Sequence, residues 1–203
     1  MPNDAKQSRF VRILNSRYLV WFMLALPFGY IINAWRAGHL FYGEMLHLSG
    51  EWSARLVIVT MAITPLRLMF AGTRWPGWLM QRRRYFGVAA FLYALLHTVI
   101  YLDRKQELRL VLDEARDFSI WTGWLALLMF AMLAATSNDA AVRWLKRRWK
   151  SLHRWVYAGA LLLFAHWIFA AFDFVPGVMH LALILGLEIY RVVKQQRAGT
   201  ADT

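Results

Sequence analysis

The 203-residue chain contains no cysteine, so disulfide bridges, thiolate-held iron–sulfur clusters and covalent cofactor attachment through Cys-x-x-Cys-His are all excluded. Acid is scarce as well: twelve Asp and Glu stand against twenty-four Lys and Arg, and charged residues make up only 18% of the chain. That is too little to solvate the surface of a domain whose composition is 59% hydrophobic. Gly/Ser linkers, low-complexity tracts and repeats of 20–50 residues are missing too, which leaves one integral membrane domain over residues 1–203. The net charge of +12 does not point to nucleic acid, because the cations cluster between apolar runs, where they set membrane topology.

What the chain does have is long apolar runs. A bilayer core of about 30 Å asks for about 20 mostly apolar residues per helix. Six segments meet or approach that length: residues 18–35, 50–70, 85–102, 118–136, 153–172 and 176–194. The expected fold is therefore all-α, a six-helix transmembrane bundle. The second segment carries Glu51 and Arg55 at one interface and Pro65 and Arg67 at the other, where the arginine stem can snorkel. The sixth starts at Pro176 and holds Glu188 and Arg191 near its exit. Eighteen of the basic residues fall in the two tails and in the second-to-third and fourth-to-fifth loops, and six fall on the other side. Excess positive charge stays cytoplasmic, so both termini are expected inside. The first run lacks an Ala-x-Ala site after it and reads as an uncleaved helix, in a multi-pass protein of the bacterial inner membrane.

Two histidines, His97 and His166, lie within these runs. His97 is thirteen residues beyond Arg84 and His166 thirteen beyond His153, which places both about 20 Å from the inner interface. An ionisable ring in hydrocarbon is costly unless it faces the bundle interior and finds a partner, and the partner that suits two facing imidazoles is a haem iron. With both axial positions filled, such a centre suits electron transfer rather than oxygen chemistry. Ala90 and Ala94 share the face of His97 with Tyr93, and Gly159 lies two turns below His166; small residues there would admit a flat macrocycle. His180 falls near the same level and is an alternative ligand, a packing group or a partner for a propionate. His153, in a basic stretch, is a candidate for a second haem, but it sits about 140° round its helix from His166 and faces Arg83 and Arg84 rather than histidine. Those arginines read as a stop signal held by anionic lipid, and would equally suit haem propionates or a flavin phosphate. His39 and His47, before the second segment, are left unassigned. Two other readings use the same residues: histidines that only join helices through hydrogen bonds, and a proton or ion transporter relaying through His97, His166 and His180.

Five pieces of the chain carry a resemblance: Leu46–Trp52 (LHLSGEW), Ile63–Arg67 (ITPLR), Arg82–His97 (RRRYFGVAAFLYALLH), Ala134–Ser137 (AATS) and Trp149–His166 (WKSLHRWVYAGALLLFAH). Over roughly residues 46–172 the sequence resembles the ferric reductase-like transmembrane family, and within it the haem-binding membrane subunits of periplasmic methionine-sulfoxide reductases. The resemblance implies that His97 and His166 ligate b-type haem, that His153 is a third haem-associated residue, and that FMN is a further candidate cofactor. It also implies direction, from a cytoplasmic flavin reductase or the quinone pool to an extracytoplasmic acceptor. That acceptor is a periplasmic reductase subunit, a molybdopterin enzyme being the candidate, or external ferric iron. The chain departs from those subunits at Asp117–Gly123 (DFSIWTG), where they carry an Arg-Pro-Tyr-containing start, and in having His180. Larger ferric reductases add a flavoprotein domain after the sixth helix, so this chain is expected to be an electron-transfer subunit rather than a self-contained enzyme. A haem in the outer half leaves a gap to the inner surface, to be closed by quinol docking nearby or by a second carrier beside His153 and the arginines.

Overall fold

A computed structural model describes residues 16–201; Lys6, Arg9 and Arg12, counted above among the inner cations, lie outside the described residues. In chain order the helices are α1 (Arg17–Arg36), α2 (Tyr42–Met69), α3 (Trp75–Lys105), α4 (Leu108–Glu114), α5 (Phe118–Ala135), α6 (Asp139–Leu145), α7 (Arg147–His153), α8 (Val156–Ala170) and α9 (Val175–Ala201). The all-α expectation holds for the described residues. Five helices, α1, α2, α3, α5 and α9, are long and apolar enough to cross a membrane. The expected fifth span is divided instead. Its apolar part, α8, has 15 residues and rises about 22 Å. It follows α7 through a tightened turn of i→i−3 bonds, Arg154 N–Ser151 O at 3.2 Å, Trp155 N–Leu152 O at 3.0 Å and Tyr157 N–Arg154 O at 3.1 Å.

Two helices start earlier than expected. The Glu44 carboxylate accepts from the Phe41 amide at 2.8 Å, which opens α2 at Tyr42 rather than near residue 50. Pro76 in the first turn of α3 lets that helix begin at Trp75, so Arg82, Arg83 and Arg84 are helical and not in a loop. The heads are accommodated differently: Arg82 is buried with its guanidinium 4.1 Å over the Trp78 ring, whereas the long stem of Arg84 carries its head out to Asp139.

The helices pack most extensively as two pairs, α2 with α3 and α5 with α8, and α9 lies against α2 and α8. Lipid offers no hydrophobic gain to helices that associate within it, so small residues and hydrogen bonds must hold them. Ala54, Ala89, Ala90, Ala126 and Ala160 are buried at these contacts. The Ser53 hydroxyl crosses from α2 to the Ala90 carbonyl of α3 at 2.9 Å. Other buried hydroxyls turn back on their own helix, Thr60 to Leu56 O and Thr122 to Phe118 O, so none of these is left without an acceptor in hydrocarbon.

The attachment of α1 is unusual. Pro27 lies inside it. One residue on, the Tyr93 hydroxyl of α3 accepts from the Phe28 amide at 2.9 Å and donates to the Leu24 carbonyl at 2.8 Å. These are the two groups that an unbroken helix would pair with each other, so Tyr93 is inserted into the ladder of α1 where proline has already weakened it.

Candidate functional site

The four helices of the two pairs enclose a cavity of about 410 Å³, and both expected histidines line it. His97 stands on α3 and His166 on α8, with ring centroids 6.0 Å apart and ring planes crossed at 83°. Each ring is held from behind by a backbone carbonyl of its own pair's other helix. Nδ1 of His97 meets Leu46 O of α2 at 2.9 Å, and Nδ1 of His166 meets Ser119 O of α5 at 2.6 Å. A carbonyl can only accept, so Nδ1 carries the proton in both rings and the Nε2 lone pair is left for another partner. Anchoring one ring nitrogen to a carbonyl is how proteins fix a histidine that gives its other nitrogen to a metal.

Two glycines set the ring positions. A Cβ at Gly50 would lie 3.0 Å from His97 Nδ1, and one at Gly123 would lie 2.8 Å from His166 Nδ1. Only glycine lets α2 and α5 pass this close to the imidazoles. The remaining wall is largely apolar, with Ala94, Ala126, Leu127, Phe130, Leu163 and Trp167.

The chemistry of this donor set fits a planar metal cofactor. With about 2 Å from nitrogen to metal and about 1 Å more to the ring centre, two imidazoles on opposite sides of one metal have centroids about 6 Å apart, which is the separation observed. The apolar wall suits a macrocycle, and neutral imidazoles from opposite walls suit a six-coordinate iron that exchanges electrons.

The other sequence candidates fall elsewhere. His180 is outside the cavity, packed behind its wall on Trp167 at 5.2 Å, with Nδ1 on its own helix at Pro176 O. His47, left unassigned from sequence, lines the cavity at its rim. His39 is exposed beyond the end of α1. Tyr93 shares the helix face of His97 in sequence, but α1 has captured it, and the space at Gly159 is filled by the Phe130 ring at 3.0 Å. Of the small residues expected to make room for a macrocycle, Ala94 lines the cavity and Ala90 faces Ser53.

At the opposite end of the bundle His153 stacks on Trp149 at 4.0 Å, and its Nε2 meets the Thr136 hydroxyl at 3.1 Å. Trp149 Nε1 donates to Thr136 O at 2.9 Å, so the segments AATS and WKSLH are one joined unit. Arg84 pairs with Asp139 at 2.7 Å. Arg83 lies within electrostatic reach of Tyr157, Glu188 and Arg191. These three form a further cluster, Arg191 standing 2.9 Å from Glu188 and donating to the Tyr157 hydroxyl.

Sequence reasoning missed Leu46, Ser119, Gly50 and Gly123. Two act through backbone oxygens, which residue type does not reveal, and the glycines acquire meaning only once helix rotation is known.

With the geometry in place, relatives can be compared. Residues 49–164 match the ferric reductase like transmembrane component family. The protein-methionine-sulfoxide reductase heme-binding subunit of Rhizobium meliloti (strain 1021) is 37% identical over 167 residues, 78% of this chain and 75% of that protein. The proteins of the same name from Brucella ovis and Brucella canis are each 33% identical over 152 residues, 73% of this chain and 67% of theirs. The matched segment contains α3 and α5 and most of α2 and α8, the helices that build the cavity, with His97 inside it and His166 two residues past its end. The apolar helices of spanning length and this match together make the chain a multi-pass membrane protein. It belongs to the ferric reductase like transmembrane component family.

Proposed function

We propose that this chain is a membrane cytochrome b, a single integral domain of six spans with both termini in the cytoplasm, set in the bacterial inner membrane. His97 and His166 are the residues that would hold its haem. The observation that carries the reading is the pair of crossed imidazoles 6.0 Å apart, each with Nδ1 tied to a carbonyl and Nε2 left for a metal. Bound there, haem supplies a reversible one-electron couple in an apolar site. The chain's own part is to hold both rings at fixed tilt through Leu46 O and Ser119 O and to keep water away with Phe130, Leu163 and Trp167.

The relatives' name, heme-binding subunit of a protein-methionine-sulfoxide reductase, supports assignment of this chain as such a subunit, passing electrons to an extracytoplasmic reductase partner. The excess of basic residues around α6 and α7 and in the first part of α3, with Arg82, Arg83 and Arg84, supports an inward-facing end there, where a cytoplasmic flavin reductase or quinol delivers electrons. His153 with Arg83 and Arg84 is the place for a second carrier on that side, a second haem or FMN.

Optical spectra of the purified protein test the assignment. Wild type should show a Soret band and a reduced-minus-oxidised signal. His97→Ala and His166→Ala should each lose most of the bound haem, and His180→Ala should keep it. A colourless wild type would sink the cytochrome and favour a histidine relay.

A further inference from the structure

The cavity does not end at the imidazoles. It continues along α3 past Thr98 to a polar rim of Tyr42 and His47 from α2 and Tyr101 and Lys105 from α3. Lys105 is eight residues beyond His97, about 12 Å of helix rise. At this rim two donors converge on a single carboxylate. The Tyr101 hydroxyl donates to Glu114 Oε2 at 2.8 Å, and the Lys105 ammonium donates to Glu114 Oε1. The donors belong to the cavity wall, whereas Glu114 comes from the short peripheral helix α4. Its side chain is 37% exposed against 25% for Lys105. Lys105 first and Tyr101 second hold the Glu114 carboxyl below the usual range, so the group bound there is an ionised carboxylate. The other charge on the wall, Glu51, is already matched by Arg55 at 2.5 Å. An anion entering the cavity therefore finds its cation at Lys105.

We propose that Lys105 and Tyr101 form a carboxylate-exchange site at the cavity mouth: they bind an ionised side arm of the tetrapyrrole when it is seated between His97 and His166, and Glu114 when it is not. This rests on the haem reading above. The step is an exchange of ion pairs in which no covalent bond changes and no electron moves. Glu114 is thus a built-in competitor for the clamp, and the clamp and its competitor must act on cofactor retention with opposite signs. A latch that merely fastened α4 to α3 would give both the same sign.

Transfer of haem from the full-length protein in lipid nanodiscs to excess apomyoglobin, followed at the Soret band, reads this directly. Lys105→Gln should release haem about tenfold faster than wild type, the scale of one charge-assisted hydrogen bond. Tyr101→Phe should release it a few-fold faster, and Glu114→Gln a few-fold slower. Reconstitution with haem dimethyl ester, whose side arms cannot ionise, should erase the effect of Lys105→Gln. That arm separates the cofactor's own carboxylate from one supplied by a partner. Thermal melts of the haem-free variants check that each is folded. Glu114→Gln releasing haem as fast as wild type or faster overturns the proposal, as does a Lys105→Gln effect that persists with the ester. Wild type that binds no haem overturns the cytochrome reading itself, a result distinct from either of these.

Discussion

At Gly123 one methyl group decides where the His166 ring can sit. A Cβ there would lie 2.8 Å from Nδ1 and 3.0 Å from Cε1, so the ring must move and its bond to Ser119 O must lengthen. Gly123→Ala should cut haem per protein several-fold, and Gly50→Ala, whose contact is 3.0 Å, should do so less. Gly186→Ala, with nothing within 4 Å, should leave it unchanged. Pyridine haemochrome content beside a thermal melt distinguishes loss of the site from loss of the fold. The histidines themselves were legible because equal offsets from two boundaries put them at one depth. What faces them was not. Leu46 and Ser119 contribute backbone oxygens, and Tyr93 shares the face of His97 in sequence yet is held by α1, because a proline-weakened ladder offered its hydroxyl two stronger partners than an apolar cavity could.

Between helices, the hydroxyl of Tyr93 is the polar tie that the weakened part of α1 makes with α3. Removing it in Tyr93→Phe leaves the Phe28 amide and the Leu24 carbonyl to find each other across a distorted turn, at a cost of about 1–3 kcal/mol. Deuterium exchange at Phe28 and its neighbours should rise while α2 and α3 stay protected. A second tie fastens α4 and depends on pH. The folded-state value of Glu114 is lowered from its ordinary 4.5, so its contribution is complete above that value and is lost as pH falls through the lower folded one. Protection of the α4 amides, taken relative to their intrinsic exchange at each pH, should therefore be flat at neutral pH and fall only in acid. Glu114→Gln should show the acid-like protection at every pH. Sequence spacing located the apolar part of each long helix, but not the polar extensions. Residues 42–49 and 75–84 are mixed polar and apolar stretches whose helicity comes from Glu44 and Pro76 rather than from an apolar run.

Across the whole molecule the absence of cysteine becomes an experimental advantage, since any thiol introduced is the only one present. Leu110→Cys on α4 and Trp144→Cys on α6 are exposed sites at opposite ends of the bundle. In intact spheroplasts an impermeant maleimide should label the first and not the second, and lysis should expose both. The reverse pattern would invert the proposed orientation and the direction of electron flow with it. The two helix pairs have a further consequence. His97 is tied within one pair and His166 within the other, so neither tether spans the seam between them. The pairs are the jaws of a vice, each with its own fixed pad, and a change in the gap between the pads would leave both mountings intact. Whatever is gripped there would then act as a second bolt across the jaws, beside α9, which already lies against one helix of each.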